Sequence, residues 1–517
     1  MDINGKRPRH LSRRDFLKLI SLVPVGIYSR PLLDLAKGPD SDQKNVILIV
    51  FDAWSQRHAS LYGYPRQTMP GLEEFAQNAI VYHNHYSAGT FTVPGTSSLL
   101  TGLHPWTHRA FQLGGGLSAA HTNQTIFSVL SSTHSTYAYT QNKFADQILN
   151  QVDGSLDEHV PHWSFNMEYN SLYGARLFHK DPRTAFAAIE DGIVQKGEGT
   201  DMSLFFGPLY RLHMLKVRRS NREKYIGNYP LGLPDAASEA FLLPDIVEGA
   251  IQLLKGIQQP ALVYLHFYPP HEPYTPSAAF YDRFFNDGWV PPYKPIHELS
   301  EKKFDSGTLQ IQRRKYDEYI ASWDHEVARL FTFLEESGLT GSSHIFITSD
   351  HGELFERGEL GHWTKMIYDP IIHVPLIVRT PGQRARQDVH TITSSVDLVP
   401  TIASLTGNPI PAWVEGRLLP ALGGTEQDSR SIFSMDAKTN SSFGRLRNYS
   451  ISLTRDRHRL VHYSYPRDKY EKYELYDLES DPVEISDLYP SSPALARRMQ
   501  NELQQKVLEV NRSFDQA

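Results

Sequence analysis

Beyond residue 44 the chain alternates between two periods of apolar and polar positions. Continuous β-rich runs occupy Asn45–Phe51 (NVILIVF) and Ala261–Tyr268 (ALVYLHFY), and His344–Ser349 (HIFITS) and Pro375–Arg379 (PLIVR) are similar. Runs that are apolar at every position suit strands covered on both faces. Between them Tyr316, Tyr319, Ile320, Trp323, Val327, Leu330, Phe331 and Leu334 recur at helical spacing and predict one long amphipathic helix. Strands alternating with helices predict an α/β fold, a doubly wound and mostly parallel sheet flanked by helices. Ligands of such sheets collect at the carboxyl ends of strands. Asp52, the 269–274 segment and Asp350-His351 then share one rim.

The pattern changes near Arg430. Shorter runs, 449–454 and 459–463, are separated by turn-rich stretches and predict a small antiparallel sheet. A final helix is predicted from Ser492 as N-cap and Pro493 in the first turn, with Leu495, Met499, Leu503 and Val507 on its apolar face. At the other end, Arg7 and Arg9 precede Ser12-Arg13-Arg14-Asp15-Phe16-Leu17-Lys18 and an apolar stretch from Leu19 to Tyr28. This is the pattern of a twin-arginine export signal. About a dozen apolar residues fall short of the roughly 20 that a spanning helix needs. No clear small-x-small cleavage site precedes Lys37. The expected organisation is an export segment over 1–36, a large α/β domain over 43–425 and a small C-terminal α+β subdomain over 426–517. The expected location is the periplasm, cell surface or exterior, reached through the twin-arginine machinery, with retention where the signal stays uncleaved. The basic run from Arg211 to Lys224 reads as a solvated face.

Composition narrows the chemistry. The 517 residues carry a formal charge of −6, so no electrostatic case exists for a nucleic-acid partner. There is no cysteine, which excludes disulfides, thiolate-bound zinc, iron–sulfur clusters and a thiol nucleophile. What stands at the strand ends is instead hard and oxygen-rich. Asp52, Asp350, His351 and His271 form a set suited to a divalent metal.

The order of motifs adds an identification by resemblance. Asn45–Asp52 (NVILIVFD), Tyr62–Arg66 (YGYPR), Thr68–Leu72 (TMPGL) and Phe91–Gly102 (FTVPGTSSLLTG) resemble the opening and signature region of the sulfatase family. Pro270–Tyr274 (PHEPY), Thr348–Glu353 (TSDHGE) with Trp363–Lys365 (WTK), Asp397–Thr401 (DLVPT) and Glu474–Pro482 (ELYDLESDP) resemble its later motifs. The resemblance spans about residues 45 to 490 and extends to the alkaline phosphatase superfamily. It implies that Asp52, Thr92, Asp350 and His351 hold one divalent cation, either Ca, Mg, Mn or Zn. It further implies that Lys143, His271 and Lys365 contact the oxygens of an anionic ester, small or polymer-linked. A metal and positioned cations would stabilise charge gathering on the transferring group.

Three positions depart from the family pattern. Thr92 stands where the family has Cys or Ser, the precursor of a formylglycine aldehyde; Thr96 replaces an Arg and Ala53 a second Asp. A threonine side chain would oxidise to a ketone, so the usual sulfate-releasing elimination is closed. A metal-activated Thr92 hydroxyl attacking phosphorus remains open, as in superfamily members that use threonine. His271, or else His362, would protonate the leaving group. The expectation is a metal-dependent hydrolase or transferase of phosphate (or sulfate) esters. Its rival is a binding protein that kept the pocket and lost the reaction.

Overall fold

The computed structural model describes residues 43–167, 216, 219–236, 239–426, 430–512 and 514. All of them belong to one compact unit, Gln43–Ala517. The export segment read over 1–36 and most of the 211–218 part of the basic run lie outside the described residues, while Arg219–Lys224 is largely exposed.

Eight strands form the central sheet: β1 (Asn45–Phe51), β2 (Ile80–Tyr82), β3 (Ser135–Thr140), β4 (Glu158–Val160), β5 (Ala261–Phe267), β6 (Ser343–Ser349), β7 (Leu376–Arg379) and β8 (Gln387–Val389). Their order across the sheet is β8-β2-β7-β6-β1-β5-β3-β4. Every pairing is parallel except those of β7, which runs antiparallel to β2 and β6. The doubly wound, mostly parallel sheet is therefore present.

Side chains of a strand point alternately to the two faces, and β1 divides accordingly. Ile47, Ile49 and Phe51 join one buried cluster with Tyr316, Tyr319, Ile320 and Trp323. Val46, Leu48 and Val50 join a second cluster on the opposite face with Val93, Leu99 and Leu100. The first face is covered by α3 (Leu243–Gly256) and α4 (Ser306–Glu336), and the second by α1 (Thr92–Thr101) and α2 (Lys143–Val152). The long helix read from the 316–334 periodicity is α4, capped by Asp305, whose side chain accepts from Thr308 N–H.

A second, antiparallel sheet contains β9 (Ser431–Asp436), β10 (Tyr449–Arg455), β11 (His458–Tyr465) and β12 (Tyr470–Asp477) in that order. The C-terminal helix α5 (Pro493–Arg512) buries Met499 and Leu503, with Leu495 and Val507 half-buried beside them. Trp106 and Phe111, from the α/β region, complete that cluster. No described helix is long and apolar enough to cross a membrane.

One close approach positions the site. All ten residues of α1 are buried, and a Cβ on Gly95 would stand 2.2 Å from the Asp350 carbonyl oxygen. Only a glycine lets the first turn of α1 lie against the end of β6. Gly95→Ala is expected to destabilise the fold by about 1–3 kcal/mol through forced backbone displacement, read as a lower urea midpoint at unchanged slope.

Candidate active site

The site grows out of three adjacent strand ends. In the parallel β1–β6 pair Phe51 lies level with Ser349, so Asp52 and Asp350, the next residue of each strand, emerge side by side. On the other flank of β1, β5 sets His266 beside Val50. The turn after β1 is tightly held. Asp52 N–H donates to Phe267 O (2.9 Å), Trp54 N–H to Ser349 Oγ (2.9 Å) and Ala53 N–H to Asp350 Oδ1 (3.3 Å). Ala53 is left-handed at φ 58°, a conformation costing an L-residue roughly 1–2 kcal/mol. Tyr316 of α4 holds it there, its hydroxyl donating to Ala53 O (2.6 Å) and accepting from Ser55 N–H (3.0 Å).

Asp52, His266, Asp350 and His351 are all fully buried. His266 Nε2 lies 3.6 Å from Asp52 Oδ2 and 3.8 Å from Asp350 Oδ2, and His351 Nε2 lies 3.3 Å from Asp52 Oδ1 and 3.6 Å from Asp350 Oδ2. Asp52 Oδ1, Asp350 Oδ2 and His266 Nε2 have no hydrogen-bond partner among the described residues. One atom from each of Asp52, His266 and Asp350 falls within a 4.8 Å span. Orphaned acceptors converging in a dry interior fit a divalent cation, because unpaired buried charge is otherwise expensive. The tautomer of His351 fits as well. Its Nδ1 lies 2.9 Å from Gly352 O, a group that only accepts, so Nδ1 carries the proton and Nε2 offers its lone pair to the cluster.

The charges strain against one another. Burial and the neighbouring Asp52 push the Asp350 carboxyl up to about 6. Burial acts the same way on Asp52, but His271, with His351 and His266, holds it down at about 2. Burial disfavours a charged His351, yet Asp350 and Asp52 raise it to about 9.

Thr92 opens α1, with Phe91 before it providing no side-chain cap. Its Oγ1 lies 3.4 Å from His351 Nε2 and accepts from Asn142 Nδ2 at 3.2 Å. Asn142 is the N-cap of α2 and also donates to Asp52 Oδ2. Asp52, Thr92, Asp350 and His351, named from sequence, are therefore neighbours. His266 and Asn142 were not named. The signal for His266 was an imidazole inside an otherwise apolar strand, and for Asn142 a cap residue directly after a strand; neither type is diagnostic alone.

The outer groups divide. His271 sits near the rim, its Nδ1–H donating to Glu272 O at 2.7 Å and its ring 4.9 Å from that of His362. His362 in turn lies 4.4 Å from the His351 ring, and its Nδ1 is 3.0 Å from Glu353 Oε1. Lys143 follows Asn142 and pairs with buried Glu239 (3.5 Å), which also meets His162 (3.6 Å). The Lys365 ammonium lies 3.3 Å from Glu301 and 3.5 Å from Asp468. Lys438, beyond β9, reaches Asp436 (2.8 Å) and lies 5.6 Å from the Phe91 ring centroid.

Strand-end carboxylates and buried imidazoles on this fold make a candidate metal site of the kind an ester hydrolase uses. The chain belongs to the sulfatase family: the profile described as Sulfatase matches residues 44–408, and that described as N-sulphoglucosamine sulphohydrolase, C-terminal, matches 358–513. Among curated relatives, the multifunctional alkaline phosphatase superfamily protein PehA of Trinickia caryophylli is 24% identical over 88% of this chain and 93% of its own. The crystal structure of the phosphonate monoester hydrolase of Agrobacterium radiobacter superposes with a TM-score of 0.65 at 18% identity, covering 90% of this chain and 96% of that one. A structure in complex with its substrate D-glucosamine-2-N,6-O-disulfate superposes at 0.63 with 16% identity, over 92% and 98%. These likenesses establish the fold in common.

Two measurements follow from the electrostatics. A divalent cation at a hundredfold excess over its Kd is expected to stabilise chelator-stripped protein by about 2.7 kcal/mol, and Asp350→Asn to abolish the increment in urea titrations. Separately, burial lowers the His162 pKa, but Glu239 and Asp146 raise it to about 9 from 6.5. A raised histidine pKa contributes stability fully present below 6.5 and lost as pH rises through 9. His162→Gln should flatten that loss between pH 6.5 and 9.

Proposed function

We propose that this chain is an exported, metal-dependent hydrolase of phosphorus esters, either phosphodiesters or phosphonate monoesters, in which Thr92 is the nucleophile. The carrying observation is the position of the Thr92 hydroxyl, 3.4 Å from His351 Nε2 beside the buried Asp52 and Asp350. Asp52, Asp350 and His351, joined by His266, would hold the cation. A cation there supplies Lewis-acid polarisation of the ester and a lowered hydroxyl pKa. The likeness to a phosphonate monoester hydrolase supports phosphorus as the atom attacked. So does the side chain itself, since threonine cannot yield the aldehyde that the family's sulfate chemistry uses.

The reaction is two displacements. Thr92 Oγ1 gives its proton to solvent and attacks phosphorus while the bond to the leaving oxygen breaks, and that oxygen takes the electron pair. His271 is the proton donor to it: Nδ1 is committed to Glu272 O, leaving Nε2 to exchange with substrate. Water then attacks the phosphothreonine and passes a proton to the now neutral His271 Nε2, the P–Oγ1 bond breaks with its electron pair on Oγ1, and Thr92 regains a proton from solvent. Lys143, buried beside Glu239, supplies positive charge at the start of α2. The location is proposed from the Arg13-Arg14 segment, with the twin-arginine machinery as export partner.

A non-catalytic reading has two observations in its favour. Ala53 replaces an acidic ligand, and Lys365 is occupied by Glu301 and Asp468. The test is turnover of bis(4-nitrophenyl) phosphate and of a phosphonate monoester with each divalent metal. Mass spectrometry should detect a phosphoryl adduct on Thr92. Thr92→Ala should lower turnover at least about 10³-fold, as loss of a nucleophile does. Unchanged turnover in that variant refutes the mechanism, and anion binding with no turnover by the wild type establishes the binding protein.

A further inference from the structure

We propose that Asn142 is a catalytic residue, its carboxamide N–H being the donor that stabilises the Thr92 oxygen as that atom gains and later releases charge. The inference rests on Thr92 being the nucleophile.

The geometry begins with a helix cap. Asn142 Oδ1 accepts from Phe144 N–H at 2.8 Å and so closes the first turn of α2. Its own N–H donates to Thr140 Oγ1 at 3.1 Å. A planar amide pinned at its oxygen must present its nitrogen to the other side. There Nδ2 finds two acceptors, Asp52 Oδ2 and Thr92 Oγ1, one for each of its hydrogens. The reverse orientation would set Oδ1 against the Asp52 carboxylate and Nδ2 against the Phe144 N–H, both repulsive. With Asn142 only 2% exposed, water offers no alternative partner. The donor is therefore fixed before any substrate arrives.

That arrangement bears on the nucleophile in both steps. In the first, the hydroxyl proton departs and negative charge grows on Oγ1, where an aligned N–H already stands. In the second, water attacks phosphorus, the P–Oγ1 bond breaks and Oγ1 leaves with the electron pair, again toward the same N–H. A donor pre-set at the atom where charge develops requires no reorganisation. The amide is held in turn by Asp52, so one cap residue ties the metal carboxylate, the nucleophile and the start of α2 together. The family resemblance gave roles to Lys143 but none to the residue before it, yet it is Asn142 that touches the reacting oxygen.

Asn142→Ser separates this role from the cap, because serine also caps helices well but cannot reach with a second donor. The full chain loaded with Mn²⁺ is assayed on bis(4-nitrophenyl) phosphate. The expected result is a fall in kcat of about 10²–10³, the range for loss of one such donor, with KM changed less than about threefold. The rate of adduct formation on Thr92 should fall in parallel. The Mn²⁺ dissociation constant from calorimetry and the urea midpoint should stay close to those of the wild type. Adduct formation at the wild-type rate in Asn142→Ser overturns the inference and leaves the proposed function intact. A loss of kcat matched by an equal loss of Mn²⁺ affinity also overturns it, assigning Asn142 to Asp52 alone. A wild type that forms no Thr92 adduct and turns nothing over removes both.

Discussion

Two carboxylates, Asp52 and Asp350, emerge from adjacent parallel strands and are fully buried. Like charges so placed repel, and each loses the hydration that would stabilise it. Most of the surrounding structure answers that constraint. The Ala53 N–H and the Asn142 amide donate to the carboxylates, and two imidazoles stand within 4 Å. Even so, three ligand-type atoms lack partners among the described residues. A divalent cation would resolve the remainder.

The elements bearing the reacting groups are positioned by steric permission rather than by attraction. Gly95 lets α1 press against β6, which brings Thr92 to the carboxylates. The Tyr316 hydroxyl, presented by the buried stripe of α4, holds the turn that aims Asp52. The apolar core and the polar centre are thus joined through single contacts.

The departures at 53 and 92 acquire a common sense in this setting. Ala53 keeps the left-handed turn but adds no third carboxylate to an already crowded pair. Thr92 offers a single oxygen, and a single amide N–H meets it. The phosphorus-ester reading matches a site simplified to one nucleophilic oxygen and its donor.

Much of this was legible beforehand. Unbroken apolar runs announced buried parallel strands, and the 316–334 periodicity announced α4, because burial on two faces or one stripe imposes those periods directly. Ordered motifs placed Asp52, Thr92, Asp350 and His351 together. Strand β3, with its Tyr and Thr content, was not read, and its end delivers Asn142. Nor could spacing foresee that Lys365 would pair with Glu301 and Asp468, or that His266 would turn toward Asp350. The chain by itself determined the class of sheet, the family and which residues stand at the motif positions, since these follow from local periodicity and motif order. Tertiary structure alone decided which imidazoles flank the two carboxylates and which amide touches Thr92. Those choices depend on strand register and on distances between residues far apart in the chain.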